Sequence, residues 1–87
     1  VIVTGPEPGA EAMRDLVAFL ARSLVDHPEA VEVREVDRED AVVLELRVDP
    51  ADVGKVIGRQ GRIVRAIRTV ARAAGARGGR RVEVEVI

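Results

Sequence analysis

The run Val53 to Gly61, Val-Gly-Lys-Val-Ile-Gly-Arg-Gln-Gly, limits the folds open to this chain more than any other stretch. Ahead of it, Asp49 reads as a helix N-cap and Pro50 as the first helical residue. Gly58 then holds that helix to about two turns. After Gly61 a second helix is predicted, from Arg62 to about Gly75, stopped by Gly75 and the Gly78-Gly79 pair. One helix must therefore end and another begin across Gly58, Arg59, Gln60 and Gly61, and the glycines let the backbone turn tightly and approach another molecule closely. The free N–H groups and the positive dipole end of the second helix lie beside that turn, which favours a phosphate.

The flanking pattern supplies the rest of the architecture. In the helix after the turn, Ile63, Val64, Ile67, Val70, Ala71 and Ala74 fall on one arc, and Arg62, Arg65, Arg68 and Arg72 on the opposite one. An earlier helix is predicted over 10–26, its core positions Met13, Leu16, Val17, Leu20 and Leu24 at helical spacing with Phe19 alongside. Pro28 disfavours helical geometry at His27 and ends it. Strands are expected over 31–36 and 42–48, joined by the polar Asp37-Arg38-Glu39-Asp40, and over 82–86. Residues 1–9, with Gly5, Pro6, Pro8 and Gly9, read as a flexible lead-in, leaving 10–87 as a single domain. The order is α-β-β-α-α-β: an α+β fold of two layers, a three-stranded sheet with helices on its apolar face.

Charge divides the chain. Residues 1–50 hold 12 acids and 5 bases, whereas residues 51–87 hold 3 acids and 9 bases, and no acid occurs from Val53 to Val82. That asymmetry points to a polyanion-facing surface on an acidic body. The phosphate favoured at the glycine turn is thus expected to belong to a nucleic-acid backbone. Cysteine is absent, so neither disulfides nor thiolate chemistry are available. His27, alone and beside a helix end, is read as a turn residue rather than a metal ligand. No apolar run approaches bilayer length and no leader pattern is legible, so a soluble, cytoplasmic protein without membrane contact is expected.

The stretch Val-Ile-Gly-Arg-Gln-Gly-Arg-Ile, 56–63, in this element order resembles a KH domain of type II. The likeness covers nearly everything after the lead-in. It is nearest to small bacterial single-KH proteins of the KhpA type, including the His-Pro-Glu after the first helix and the Gly-Arg-Ile-Val-Arg-Ala-Ile-Arg run after the turn. The resemblance implies a non-catalytic protein that clamps single-stranded RNA, an RNA chaperone or post-transcriptional regulator. Gly58, Arg59, Gln60 and Gly61 would hold phosphates. Lys55, Arg62 and Arg65 would extend the positive track, and Val53, Val56, Ile57 and Ile63 would floor a groove for bases. It also implies a self-dimer or a larger KH partner of the KhpB (Jag) type, and no cofactor. Many KH domains carry lysine where this chain has Arg59, whose guanidinium offers a fork-like contact an ammonium lacks.

Other classes fit less well. A protein-interaction or assembly module using the same surface is the main alternative, and salt response separates the two in part. No Ser/His/Asp or Cys/His set exists for catalysis. The acidic Glu35 to Asp40 stretch is better read as a solvated hairpin than as a paired-acid or metal site. A mononucleotide loop would need a Gly-Lys-Ser/Thr ending that is not there. Arg68, Arg72, Arg77, Arg80 and Arg81 are assigned to solvation or acidic pairing. The single aromatic, Phe19, disfavours binders that stack bases on aromatic platforms.

Overall fold

Val42, Leu44 and Leu46 alternate with residues of the opposite face along the strand β2 (Ala41–Arg47), and all three are fully buried. This strand is the middle of the sheet in the computed structural model, which describes residues 10–87; the lead-in expected over 1–9 lies outside the described residues. The strand β1 (Glu32–Asp37) pairs with it antiparallel, Val33 opposite Leu46 and Glu35 opposite Leu44. The strand β3 (Arg81–Val86) pairs on the other side in parallel, Val82 beside Val42 and Val84 beside Leu44. A hairpin joins the first pair, with Arg38 N donating to Ala41 O at 2.8 Å. A parallel pair instead needs a crossover, and here that crossover is helical. It comprises α2 (Val53–Ile57), the glycine turn and α3 (Arg62–Arg77). Sheet topology thereby forces the glycine turn to one end of the helical layer.

The helices cover one face of the sheet. The first, α1 (Ala10–Leu24), buries Met13, Val17 and Ala21; α2 buries Val56; α3 buries Ile67 and Ala71. Each Val, Leu, Ile or Met buried in this way contributes about 1.5–3 kcal/mol. The expected order α-β-β-α-α-β and the three-stranded sheet are as observed.

Five readings of the sequence need correction. Phe19 is 65% exposed and lies outside the core, because the small Ala18 and Ala21 let α1 seat closely on the stripe from Met13 through Val17. Val70 and Leu24, the second read as a core position of the first helix, are likewise exposed, since α3 faces the sheet through Ile67 and Ala71 and α1 through Met13 and Val17. α1 ends at Leu24 rather than Asp26, and a 3-10 turn over Pro28–Ala30 follows. Gly75 does not stop α3 but is buried within it, where the helix passes against β3. Elsewhere the start at Asp49 is as read: its side chain accepts from Ala51 N at 2.9 Å, capping a 3-10 turn over Pro50–Asp52 that leads into α2. Among the described residues no helix is long and apolar enough to cross a membrane.

A Cβ on Gly75 would lie 2.3 Å from Val82 Cγ2 and 3.0 Å from the Arg80 carbonyl oxygen. Gly75→Ala should therefore destabilise by roughly 1–3 kcal/mol through overpacking, although alanine is the better helix former. Urea denaturation of the two proteins checks this; an alanine variant as stable as the parent would mean that α3 can back away from β3 freely.

Candidate functional site

Between α2 and α3 the backbone enters the left-handed half of φ/ψ space three times: φ is 76° at Gly58, 57° at Gln60 and 73° at Gly61. Gly58 N donates to Gly54 O at 2.9 Å, closing α2, and Gly61 N donates to Gly58 O at 3.1 Å. Gly58 also rests on α3: a Cβ there would lie 2.5 Å from Ile63 Cγ1. Gly61 precedes α3 without giving its first turn a side-chain cap, and no acid occupies that turn. Arg62 N already donates to Arg59 O, and the N–H groups that follow it at the start of this sixteen-residue helix lie beside a turn with no negative charge of its own.

Side chains consolidate the turn. Arg62 Nη2 donates to Gln60 Oε1 at 3.0 Å, and Arg65 Nη2 donates to the Gln60 carbonyl oxygen. Neither arginine is paired with an acid among the described residues. Arg59 is exposed and has no hydrogen-bond or ion-pair partner among the described residues. The structure therefore brings Gly58, Arg59, Gln60, Gly61, Arg62 and Arg65 into one exposed, positively charged corner. Ile63 lies half-buried beneath it, and Val53 and Ile57 are half-buried on α2. Val56 faces the other way and is fully buried in the core, so it supports α2 from below and presents no surface. Lys55 is drawn away from the turn, with Nζ 2.9 Å from Asp26 Oδ2 and 3.4 Å from Asp52 Oδ1.

Asp52, the last residue of the turn that leads into α2, has a wholly buried side chain. Its Oδ2 accepts from His27 N at 2.9 Å and pairs with His27 Nδ1 at 3.0 Å, bridging the end of α1 to the start of α2. Burial alone would push the Asp52 carboxyl up. The His27 ring, together with backbone donors at His27 and Asp26, outweighs that and holds it below the ordinary carboxylate value. Conversely, the hydrogen bond to Asp52 and the fields of Asp49 and Asp52 raise His27 above its usual value. The i,i+3 spacing of Asp52 and Lys55 hints at part of this cluster. Nothing in the sequence marks His27 as its partner from 25 positions away.

Arg68, expected to be solvated or paired with an acid, does neither. Its Nε donates to Val84 O at 3.0 Å, covering a carbonyl on the free edge of β3. The acidic pairing expected farther along does occur: Arg72 and Arg81 with Glu83, and Arg80 with Asp37. Among the described residues no three His, Cys, Asp or Glu side chains gather as a metal site.

Comparison with known proteins agrees with this geometry. The family described as "KhpA/KhpB, KH domain" matches residues 14–86. A Clostridium perfringens protein named RNA-binding protein KhpA is 55% identical over 75 residues, 86% of this chain and all of that protein. Its Aquifex aeolicus namesake is 51% identical over 76 residues, 87% of this chain and 96% of its own length. Among solved structures, a crystal structure of Aquifex aeolicus Era bound to GDP and AlF4− superposes with a TM-score of 0.60. It covers 85% of this chain and 29% of that one at 21% identity, a likeness of fold alone.

The His27–Asp52 link makes stability depend on pH with a definite sign. Because the folded state raises the His27 pKa, its contribution is complete below the unfolded value of about 6.5 and is lost as pH rises through the folded value. The depressed Asp52 contributes above its unfolded value and fails as pH falls through its folded one. The stability gap between the parent and His27→Gln should therefore be widest near pH ~5.5 and shrink toward pH ~9, as read from urea midpoints. A gap that does not vary with pH would show that His27 is not charged against Asp52 in the folded protein.

Proposed function

The chain belongs to the KhpA/KhpB family of KH domains, and from that premise we propose that it is a non-catalytic RNA-binding protein whose Gly58–Gly61 turn clamps the backbone of single-stranded RNA. The observation that carries this reading is the turn itself. Backbone of positive φ at Gly58, Gln60 and Gly61 lies beside the uncapped start of α3, and three arginines with no acidic partner among the described residues surround it. Phosphates of roughly four nucleotides fit such a clamp. Arg59 and Gln60 make the outermost contacts, the first as a charge and the second as a hydrogen-bonding group. Arg62 and Arg65 continue the track, while Lys55, held between Asp26 and Asp52, contributes mainly to the long-range field. Val53, Ile57 and Ile63 supply the apolar floor for bases. In the cell this is the chemistry of a cytoplasmic RNA chaperone or post-transcriptional regulator.

A single clamp without aromatic stacking binds weakly, and useful affinity then comes from a second RNA-binding unit at high effective concentration. A second copy of this chain, or a larger KH partner of the KhpB (Jag) type, supplies one. The second copy is favoured by an apolar groove of about 370 Å³ between α1 and α3, lined by Leu20, Leu24, Ile63, Ala66, Ile67 and Val70. Leu24 and Val70 are 38% and 45% exposed, and Arg62, which bonds within the clamp, also lines the groove. Two copies joined there would carry two clamps on one strand.

Two measurements follow. Fluorescence anisotropy with short single-stranded RNA should show wild-type binding that weakens steeply with salt, with a log–log slope near ~−3 for about four phosphates. Arg59→Asp/Gln60→Asp should lose it while keeping the parent's circular dichroism and melting behaviour. Persistent binding by the folded double variant would move the site away from the turn. In sedimentation equilibrium, Val70→Asp should shift the protein to monomer and weaken binding to long RNA far more than to a short oligonucleotide. An unchanged association state would exclude the α1–α3 groove as the self-contact.

A further inference from the structure

Two contacts tie the segment after α1 to the start of α2, and they differ in kind. One is internal: the buried Asp52 carboxylate accepts from His27 N and pairs with His27 Nδ1, both through Oδ2. The other lies at the surface, where Lys55 Nζ stands 2.9 Å from Asp26 Oδ2 and the two side chains are 44% and 69% exposed. The internal contact does not pass through Lys55, whose own approach to Asp52 is a longer 3.4 Å to Oδ1. An exposed ion pair adds little to stability, because water screens it and two side chains must be held still to make it. The fold therefore has little need of the Asp26–Lys55 pair, and the pair can open at small cost.

What the pair does is hold back a cation beside the turn. Arg59, Arg62 and Arg65 meet no acid among the described residues, whereas Lys55 meets two. Asp26 foremost, and Asp52 after it, hold Lys55 above the ordinary lysine value, so the ammonium is charged but locally offset. Its side chain leans back toward the N-terminus of α2, the usual direction on a helix. Gly58 lies three residues on, and residues three apart on a helix are neighbours at roughly 5–6 Å. The flexible lysine stem can swing the ammonium across that distance. A phosphate seated at the turn thus competes with Asp26 Oδ2 for one donor. Asp26 offers a single charge, whereas a nucleic-acid strand offers a row of them, so the strand wins the ammonium once it is bound.

We propose that Asp26 is an affinity-setting residue that never touches RNA: it holds the Lys55 ammonium in the free protein and yields it to a phosphate of the strand bound at the Gly58–Gly61 turn. This assignment rests on the RNA-binding reading above and deepens it. Lys55 then adds only a distant field before binding and a direct contact after it, and part of the binding free energy goes into opening the Asp26–Lys55 pair.

A double-mutant cycle on Asp26→Asn and Lys55→Gln reads the competition directly. Affinity is measured by fluorescence anisotropy with a fluorescein-labelled oligouridylate. Asp26→Asn should tighten binding about two- to fivefold with Lys55 in place, the range of an exposed ion pair that no longer has to break on binding. With Lys55→Gln the same substitution should gain much less, since only the through-space repulsion of Asp26 is removed. Lys55→Gln alone should also make the log–log salt slope shallower by about 0.7, the share of one phosphate on a single strand. An equal gain from Asp26→Asn in both backgrounds would overturn the competition, and so would a salt slope that Lys55→Gln leaves unchanged. A melting temperature lowered by more than about 4 °C in Asp26→Asn would do the same, by making the pair a support of α2. Arg59→Asp/Gln60→Asp measured in parallel keeps the two claims apart. If it loses oligouridylate while the cycle shows no coupling, the RNA clamp stands and the competition falls. If the parent does not bind, or the folded double variant still binds, the clamp reading itself fails.

Discussion

The closest internal approach on which the site depends is that of Gly58 to Ile63. The chain must close α2, reverse and open α3 while both helices stay on the same sheet, α2 through Val56 and α3 through Ile67. The turn cannot bulge outward to relieve crowding without pulling one helix off the core. It is compressed until Gly58 lies directly against the Ile63 side chain, at a separation no Cβ tolerates. Left-handed backbone at Gly58 and Gly61, and at Gln60 between them, is the conformational cost of that compression. Its chemical result is a short arc of backbone standing clear of the surface, with arginines gathered around it. The same packing that buries the underside of α2 and α3 therefore creates the exposed turn above them.

Compression from below would be of little use if α2 could swing. A helix of five residues has almost no intrinsic stability. Two anchors hold its ends. At the C-terminal end the anchor is the turn itself; at the N-terminal end it is Asp52, buried and bonded to the backbone and ring of His27. Through this contact the residues just after α1 set the origin of α2. A buried carboxylate is costly unless its oxygens are satisfied. Here Oδ2 meets two His27 donors and Oδ1 meets Lys55. Partial burial of His27 and exposure of Lys55 leave the cluster in touch with solvent at its rim, where proton uptake can act on it.

Much of this fold is legible in the sequence because it depends on local patterns. Alternation along 42–48 announces the central strand, helical spacing along 62–74 announces α3, and Asp49-Pro50 announces the start of the crossover. The glycine turn and its arginines are legible for the same reason, since they are contiguous. What escapes the sequence is contact between distant segments. Phe19 and Met13 are similar in apolar character, and only the direction from which the sheet meets α1 decides that one is buried and the other exposed. Gly75 reads as a helix stop because its packing partner, Val82, lies across a loop. Asp52 reads as a surface acid because His27 is 25 residues away. Arg68 looks like its neighbours on the basic stripe, and its bond to a β3 carbonyl depends on where the sheet edge falls.

The structure also changes what the charge pattern means. From Val53 to Val82 the chain carries nine cations and no acid, which suggests a broad positive face. Folding divides them unequally. Lys55 sits between Asp26 and Asp52, Arg80 meets Asp37, and Arg72 and Arg81 share Glu83. Asp26 and Asp37 from the first half of the chain, Asp52 before α2 and Glu83 of β3 thus offset these four cations. Among the described residues the side chains of Arg62 and Arg65 bond only to neutral atoms of Gln60, and that of Arg59 has no partner. Arg68 and Arg77 of α3 meet no acid among the described residues either, so the positive charge is densest at the glycine turn and continues along α3. A polyanion approaching this protein meets its positive field at the glycine turn and along α3. A nearly neutral protein, with a net charge of −1, can in this way still present a localised positive face.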